Sequence, residues 1–291
     1  MKRYVLIIPI ALILSMPVFG LSYHWTGAAT PDVRWNNVTN WQEGIANGLP
    51  KITDPCQFPG FGRAQTIEPL CIIDASHTGT NKAVTVRANI GNEGAGPCTV
   101  IVDGGEFEVG TEIWLARNAA NNYGILIISN GLVTVPVFTH VGQTGTGELH
   151  VAGGVMNNNG NLNIGATVNG VGHFSMTGGM ITNVDIFNVG SLGGFGSVLM
   201  EGGTLYADTL AMNGNVILTL DESAKLILSG DDTIALEGFT NSDWLVAADG
   251  RILVYNYNET VPGHTTITTV PEPAIVVVLC IVGVLGIQRR R

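Results

Sequence analysis

Acidic side chains are the first candidates for chemistry in this 291-residue chain, because paired carboxylates can hydrolyse a glycosidic bond. The reaction needs two carboxyl groups about 5–10 Å apart across the sugar. Glu148 and Glu201 occupy near-equivalent places two units apart in a glycine-rich repeat, with His173 at the intervening place. Stacked units would separate them by about 9.6 Å. We keep this pair as a hypothesis, and interpret these glutamates, Asp185 and Asp208 as solvated surface groups.

Motifs for metals, phosphates and activated nucleophiles do not occur in the sequence. The six histidines are scattered without a His-Glu-x-x-His pattern, and there is no Cys-x-x-Cys, Gly-x-Ser-x-Gly or phosphate-binding loop. A calcium-dependent lyase would need an aspartate cluster beside a basic residue, and none accompanies Arg87 or Arg117. We therefore expect no metal, no cofactor and no catalytic centre.

Three early tryptophans are the best candidates for ligand binding. Trp25, Trp35 and Trp41 lie close together near the start of the chain. Aromatic faces stack on sugars, and exposed ones mark interaction sites. The end of a repeat array also needs large apolar side chains, so core packing is the competing interpretation.

Cysteines indicate one disulfide at most in the exported part. Cys280 lies in the C-terminal apolar run, which leaves Cys56, Cys71 and Cys98. In an oxidising compartment one pair is expected, and three pairings are open. We favour Cys56 with Cys71 because they are near in sequence.

The glycines reveal the elements that would position all these groups. Double glycines at 153–154, 178–179 and 202–203 are 25 and 24 residues apart. A short run with alternating apolar residues precedes each one, and period two is the signature of a strand. A unit of about 24 residues is too short for a propeller blade and suits one coil of a parallel β-helix. The sequence therefore predicts an all-β, parallel β-solenoid with glycine-rich coils and about six to eight turns.

Both ends of the solenoid need covering, because stacked coils expose strand edges. Residues 23–50, with the three tryptophans, are the candidate N-terminal cap. Residues 231–236 and 244–248 read as a short helical or mixed C-terminal cap. We assign 23–255 to the solenoid with its caps, and 256–269, rich in threonine, to a linker.

The N-terminus has the pattern of a secretory signal peptide. Lys2 and Arg3 precede an apolar run from Tyr4 to Met16, and small residues follow at Gly20 and Ser22. The run is short for a membrane span, which needs about 20 residues, so cleavage after Gly20 or Ser22 is favoured over an uncleaved anchor. We assign residues 1–22 to the signal peptide.

The C-terminus, residues 270–291, combines three features in a fixed order. Pro271, Glu272 and Pro273 precede an unbroken apolar run over 274–287, and Arg289, Arg290 and Arg291 follow. Basic residues beyond an apolar segment stay on the cytoplasmic side. Since Lys2 and Arg3 obey the same rule, everything between the two ends is expected to be translocated.

This tail resembles the PEP-CTERM sorting signal of bacterial envelope proteins. The resemblance implies a partner, a membrane-embedded exosortase that recognises the Pro-Glu-Pro region and removes a hydrophobic helix, and a host that makes exopolysaccharide. The motif Trp35-Asn36-Asn37 through Asn40-Trp41 and the Gly-Gly repeats resemble β-helical ectodomains of such proteins and of autotransporter passengers. That second resemblance implies a fold and a surface location.

Charge excludes one class of partner. The chain has 13 basic and 23 acidic residues, and five of the basic ones lie in the two removable ends. The mature chain would carry a net charge of −14 or −15, which repels nucleic acid.

We expect an exported, non-catalytic cell-surface or extracellular-matrix protein, transiently anchored by 274–287, that contacts exopolysaccharide or other surface proteins. The alternative is a β-helix polysaccharide lyase or glycoside hydrolase.

Overall fold

The computed structural model describes residues 23–25, 28–29, 31–43, 46–47, 55–58, 70–92 and 96–272. The predicted signal peptide and residues 273–291 of the predicted tail lie outside these ranges. Within them the chain forms nineteen strands in one continuous sheet that coils into a solenoid of about seven turns. The predicted all-β parallel solenoid is confirmed.

The strands are β1 Tyr23–Trp25, β2 Trp41–Glu43, β3 Ala46–Asn47, β4 Pro55–Phe58, β5 Leu70–Asp74, β6 Ala83–Ile90, β7 Pro97–Leu115, β8 Tyr123–Val135, β9 Phe138–Val141, β10 Thr146–Val151, β11 Val155–Asn158, β12 Asn161–Ile164, β13 Val171–Val189, β14 Phe195–Met212, β15 Val216–Leu220, β16 Lys225–Ser229, β17 Leu245–Ala247, β18 Arg251–Tyr257 and β19 His264–Pro271. In the described ranges an α-helix, α1, covers Thr233–Asn241, and short 3₁₀ turns cover Val38–Asn40, Gly79–Asn81 and Ser191–Gly193.

Each coil has three faces. In one coil, β10 forms face A, β11 forms face B and β12 forms face C. Each of the three pairs in parallel with β13 of the next coil, and β10 and β11 also pair with β8 of the preceding coil. On face A, Thr146 pairs with Val171 and Val171 with Phe195, so successive coils differ by 25 and 24 residues, as the glycine spacing predicts.

Alternation along each strand builds the core. In β10 and the first part of β13, every second side chain is buried. Register stacks these buried side chains into apolar columns along the solenoid axis, because each one pairs with its equivalent in the next coil. One column on face A contains Val100, Leu126, Leu149, Phe174, Val198, Leu218 and Leu245.

Corner glycines permit the close stacking of coils. Gly142 and Gly165 follow the last strand of successive coils and have φ values of 71° and 69°. A Cβ at these residues would lie 2.0 Å from the carbonyl oxygen of Val171 and 2.1 Å from that of Phe195, respectively. Both the backbone conformation and the space therefore require glycine. This requirement explains why glycine recurs with the period of the coil.

Helix α1 and strand β17 lie near the C-terminal end of the solenoid. Helix α1 buries Leu236 completely, and Phe239 stacks on Trp244 with ring centroids 6.3 Å apart. Strand β17 follows and pairs in parallel with β15. A helix and a strand thus lie in the region where the helical or mixed cap was expected, around 231–236 and 244–248.

The prediction of a linker over 256–269 is wrong. Strands β18 and β19 form an antiparallel hairpin, and β19 pairs with β16 of face B. Pro262 and Gly263 lie at the turn of this hairpin. The threonines that follow suit a strand, since β-branched residues pack well on a pleated surface. The solenoid unit thus continues to Pro271, beyond the predicted boundary at residue 255.

Candidate functional site

The predicted carboxylate pair does not come together. Glu148 points outward on face A, where it pairs with His173, and His173 pairs with Ser197. Glu201 lies four residues beyond Ser197 and is exposed. The two glutamates therefore occupy different places in the coil, because register and not the distance to the nearest Gly-Gly pair decides which residues align.

Two of the three candidate tryptophans are in the core. Trp35 and Trp41 are 3% and 0% exposed, with ring centroids 4.5 Å apart. The indole N–H of Trp41 donates to the carbonyl of Trp35 at 2.8 Å. Neither ring presents a face to a sugar, so the packing interpretation holds for both. For Trp25 the structure describes only the backbone, as part of β1.

The cysteines point into the solenoid where the structure describes their side chains. Cys71 in β5 and Cys98 in β7 are both buried on face A. Cys56 lies in β4, which pairs with β6 on face C, but its side chain lies outside the described residues. A Cys56–Cys71 disulfide stays a prediction.

The predicted sorting motif begins where the fold ends. Pro271 is the last residue of β19, and the backbone N–H of Glu272 donates to the carbonyl of Gly250 at 2.9 Å. Pro273 and the arginines at 289–291 lie outside the described residues. In the described part of the chain, no helix is long and apolar enough to cross a membrane.

A groove of about 380 Å³ lies on face B, near its corner with face C. Four strands contribute to it: β13, β14, β16 and the C-terminal β19. Its lining residues are Met180, Thr182, Asn183, Val184, Tyr206, Ala207, Asp208, Ile227, Ser229 and His264. Its volume is within the range of small-molecule sites, roughly 300–1,000 Å³. We refer to it as the face-B groove.

Local irregularity shapes the face-B groove. The register between β13 and β14 shifts between Ile181 and Val184, and Asn183 has a left-handed backbone with φ 61°. Such a bulge bends its strand and redirects side chains. On the other side the β18–β19 hairpin brings His264 beside Ser229, its register partner.

The lining of the groove combines apolar contact with hydrogen-bonding groups. Ile227, only 2% exposed, pairs in register with Tyr206. The Ser229 hydroxyl donates to Asp208 Oδ1 at 2.7 Å, and His264 Nδ1 lies 2.9 Å from the carbonyl of Pro262. Among the lining residues, Asp208 is the only carboxylate, and no lysine or arginine is present. An aromatic ring beside hydroxyls, an amide and a carboxylate can bind a polyhydroxylated ligand.

A second polar cluster lies on the outer surface of face A, across three coils. Tyr123 donates its hydroxyl proton to Glu148 Oε1, and the other oxygen, Oε2, lies 2.8 Å from His150 Nε2. His150 Nδ1 lies 2.6 Å from Ser175 Oγ. We call these four residues the face-A cluster.

Glu148 is held in its ionised form. Burial acts to raise the pKa of Glu148, but the hydrogen bonds from Tyr123 and His150, together with the nearby imidazoles of His150 and His173, outweigh it. The pKa of Glu148 therefore lies below its ordinary value. In the neutral form of His150, a carboxylate that accepts the Nε2 proton leaves Nδ1 as an acceptor, and Ser175 then donates its hydroxyl proton to it.

Sequence reasoning missed both sites. His150 and Ser175 are 25 residues apart, and only parallel register in successive coils places them side by side. The repeat period contained that signal, since a residue and its partner one period later share a place on the surface. The face-B groove depended on the hairpin that was predicted as a linker, so no sequence signal identified it.

Comparisons with known proteins return no match to this chain among family models, curated proteins or solved structures.

Proposed function

We propose that this chain is an exported cell-surface or matrix protein that binds polysaccharide in the face-B groove without cleaving it. The supporting observation is the groove itself, where Tyr206 lies beside the hydrogen-bonding side chains of Thr182, Asn183 and Asp208.

The orientation of the groove suits a polymer. It extends across four adjacent strands, and three inter-strand steps of about 4.8 Å give a length of about 14 Å along the solenoid axis. A ligand of several sugar rings would lie along this axis, with one end free to continue over the preceding coils and the other over the β18–β19 hairpin. An open groove of this kind accepts an internal segment of a chain, whereas a closed pocket accepts only a chain end.

Export and sorting rest on the two terminal segments. The basic and apolar N-terminus directs translocation, and the PEP-CTERM-like tail, which starts where β19 ends, is recognised by an exosortase-type membrane protease. Mass spectrometry of the protein from the host envelope should find residues 274–291 removed, and Pro273→Ala should retain them. A mature protein with an intact tail would contradict this part of the proposal.

Binding is tested by co-sedimentation of the full-length chain with the extracellular polysaccharide of its own host. We expect saturable binding that weakens about tenfold in Tyr206→Ala; this corresponds to about 1.4 kcal/mol, or to about 55 Å² of ring surface covered by the ligand at about 25 cal/mol per Å². Tyr257→Ala is the matched control, because Tyr257 is 41% exposed and lies outside the groove. Equal binding by both variants would show that the polysaccharide does not bind in the face-B groove.

The enzymatic alternative is a lyase or glycoside hydrolase. It depends on analogy between β-helix folds, and fold alone does not imply function. The one specific carboxylate pair suggested for it, Glu148 and Glu201, is not aligned. Incubating the purified protein with the same polysaccharide and measuring new reducing or unsaturated ends separates the two functions, because chain cleavage would refute a purely binding role.

A further inference from the structure

The face-A cluster contains the three groups of an activated serine. Ser175 Oγ lies 2.6 Å from one ring nitrogen of His150, and Glu148 lies 2.8 Å from the other. In nucleophilic catalysis the hydroxyl is activated by an adjacent base, and the base is oriented by a third group. Both distances are within the range in which this arrangement works, about 2.6–3.2 Å.

The fold holds these groups rigidly. Glu148 and His150 are alternate outward residues of β10, and Ser175 is the register partner of His150 in β13. Sheet hydrogen bonds fix all three backbones, and Tyr123, one coil earlier, holds the second oxygen of Glu148. A site on strands is positioned more accurately than one on loops.

The site is open to a substrate. The His150 side chain is 37% exposed and that of Glu148 is 23% exposed. Apolar residues flank the His150–Ser175 pair in the same outward row: Ile127 pairs with His150, and Leu199 pairs with Ser175. They offer contact to the acyl part of an ester on either side of the nucleophile.

A hydrogen-bond donor is also nearby. His173 precedes Ser175 by two residues on the same outward surface, about 6.6 Å along the strand. Its ring makes an edge contact with Phe195, with centroids 5.9 Å apart. An imidazole N–H can stabilise a developing oxyanion, so His173 is the candidate donor for this role.

The geometry points to Ser175 as a nucleophile that hydrolyses carboxylic esters, with His150 as its general base and Glu148 as the residue that orients the imidazole. The substrate class is a small ester, such as an acyl group on a sugar hydroxyl. This activity leaves glycosidic bonds intact and does not depend on ligand binding in the face-B groove.

The reaction balances with water as the second reactant. Ser175 Oγ attacks the ester carbonyl carbon while its proton moves to His150 Nδ1. The C–O bond to the alcohol then breaks, and the alcohol leaves with that proton. Water, deprotonated by His150, attacks the acyl-serine, releases the carboxylic acid and returns the proton to Ser175.

The test is covalent labelling of the full-length chain with a fluorescent fluorophosphonate, in which the serine oxygen displaces fluoride. We expect labelling at Ser175, located by peptide mass spectrometry, and none in Ser175→Ala. His150→Gln should slow the labelling at least about 100-fold, because general-base catalysis contributes about 10²–10⁴-fold. Ser197→Ala, a serine of the same face one coil further on, should label like the wild type.

A second readout is hydrolysis of p-nitrophenyl acetate above the rate of Ser175→Ala. Glu148→Gln retains serine and base, and should reduce both readouts at least about tenfold through the loss of imidazole orientation. Circular-dichroism melting confirms that each variant is folded. Absence of label at Ser175 in the wild type, or an unchanged labelling rate in folded His150→Gln, would overturn the proposal.

Discussion

Replacing one corner glycine tests whether coil stacking explains the glycine repeat. In Gly142→Ala the new Cβ would lie 2.0 Å from the carbonyl oxygen of Val171, where ordinary contacts are 3.4–4 Å. The two backbones must therefore separate by more than 1 Å. Gly214→Ala is the matched control, because Gly214 has a similar φ of 79° and nothing within 4 Å of the added atom.

The expected loss in the free energy of unfolding is about three times larger for Gly142→Ala than for Gly214→Ala. In both variants alanine must adopt a left-handed backbone, at about 1–2 kcal/mol, and the more restricted unfolded chain returns about 0.4–1 kcal/mol. Gly214→Ala should thus cost about 1 kcal/mol. In Gly142→Ala the separation also disturbs the bonds from Gly142 N to Leu115 O (3.1 Å) and from Ala166 N to Gly142 O (3.0 Å). Each of these two hydrogen bonds contributes about 1 kcal/mol, so the total loss of stability in Gly142→Ala should be about 3 kcal/mol.

Thermal melting of the full-length chain by circular dichroism measures the difference. For a folded unit of this size, 1 kcal/mol shifts the melting temperature by about 2–4 °C. We expect losses of about 6–12 °C for Gly142→Ala and about 2–4 °C for Gly214→Ala. Equal losses would mean that backbone conformation alone, and not the approach of the next coil, demands glycine at position 142.

Two further predictions concern the core and acid stability. Phe174→Ala should lower the free energy of unfolding in urea by about 3–5 kcal/mol, because the ring is 2% exposed and packs edge-on against Phe187. As a control, Phe195→Ala should lower it by less than about 1 kcal/mol, because Phe195 is 41% exposed. Burial, with a smaller effect of Arg117, lowers the pKa of His140 to about 4. As the pH falls, the His140 imidazole takes up a proton in the unfolded chain before it does so in the folded chain. The free energy of unfolding should therefore fall by up to about 3 kcal/mol between pH 6.5 and about 4, and this loss should be smaller in His140→Gln.

Local patterns were enough to predict the class of fold. Alternating apolar residues and recurring glycines are both imposed within a single coil, by strand pleating and by tight corners. The same patterns recur in several coils, so a single sequence displays them more than once. That redundancy explains why the parallel solenoid was predicted correctly.

The C-terminal hairpin shows where local patterns fail. Threonine, proline and glycine at 262–269 suit a linker and a strand-turn-strand equally well. Only the unpaired edge of β16, which needs a hydrogen-bonding partner, decides between them.

Composition and residue order by themselves determined the acidic character of the chain, its basic and apolar termini, and the inward and outward residues of the strands that precede the double glycines. The tertiary structure decided which outward residues meet. Coil lengths vary with corners and bulges, and an offset of one residue would separate His150 from Ser175 or move Tyr206 away from Ile227. These small differences in coil length add up from one coil to the next and set the register between strands. Sites formed between coils can therefore be identified only in the folded solenoid.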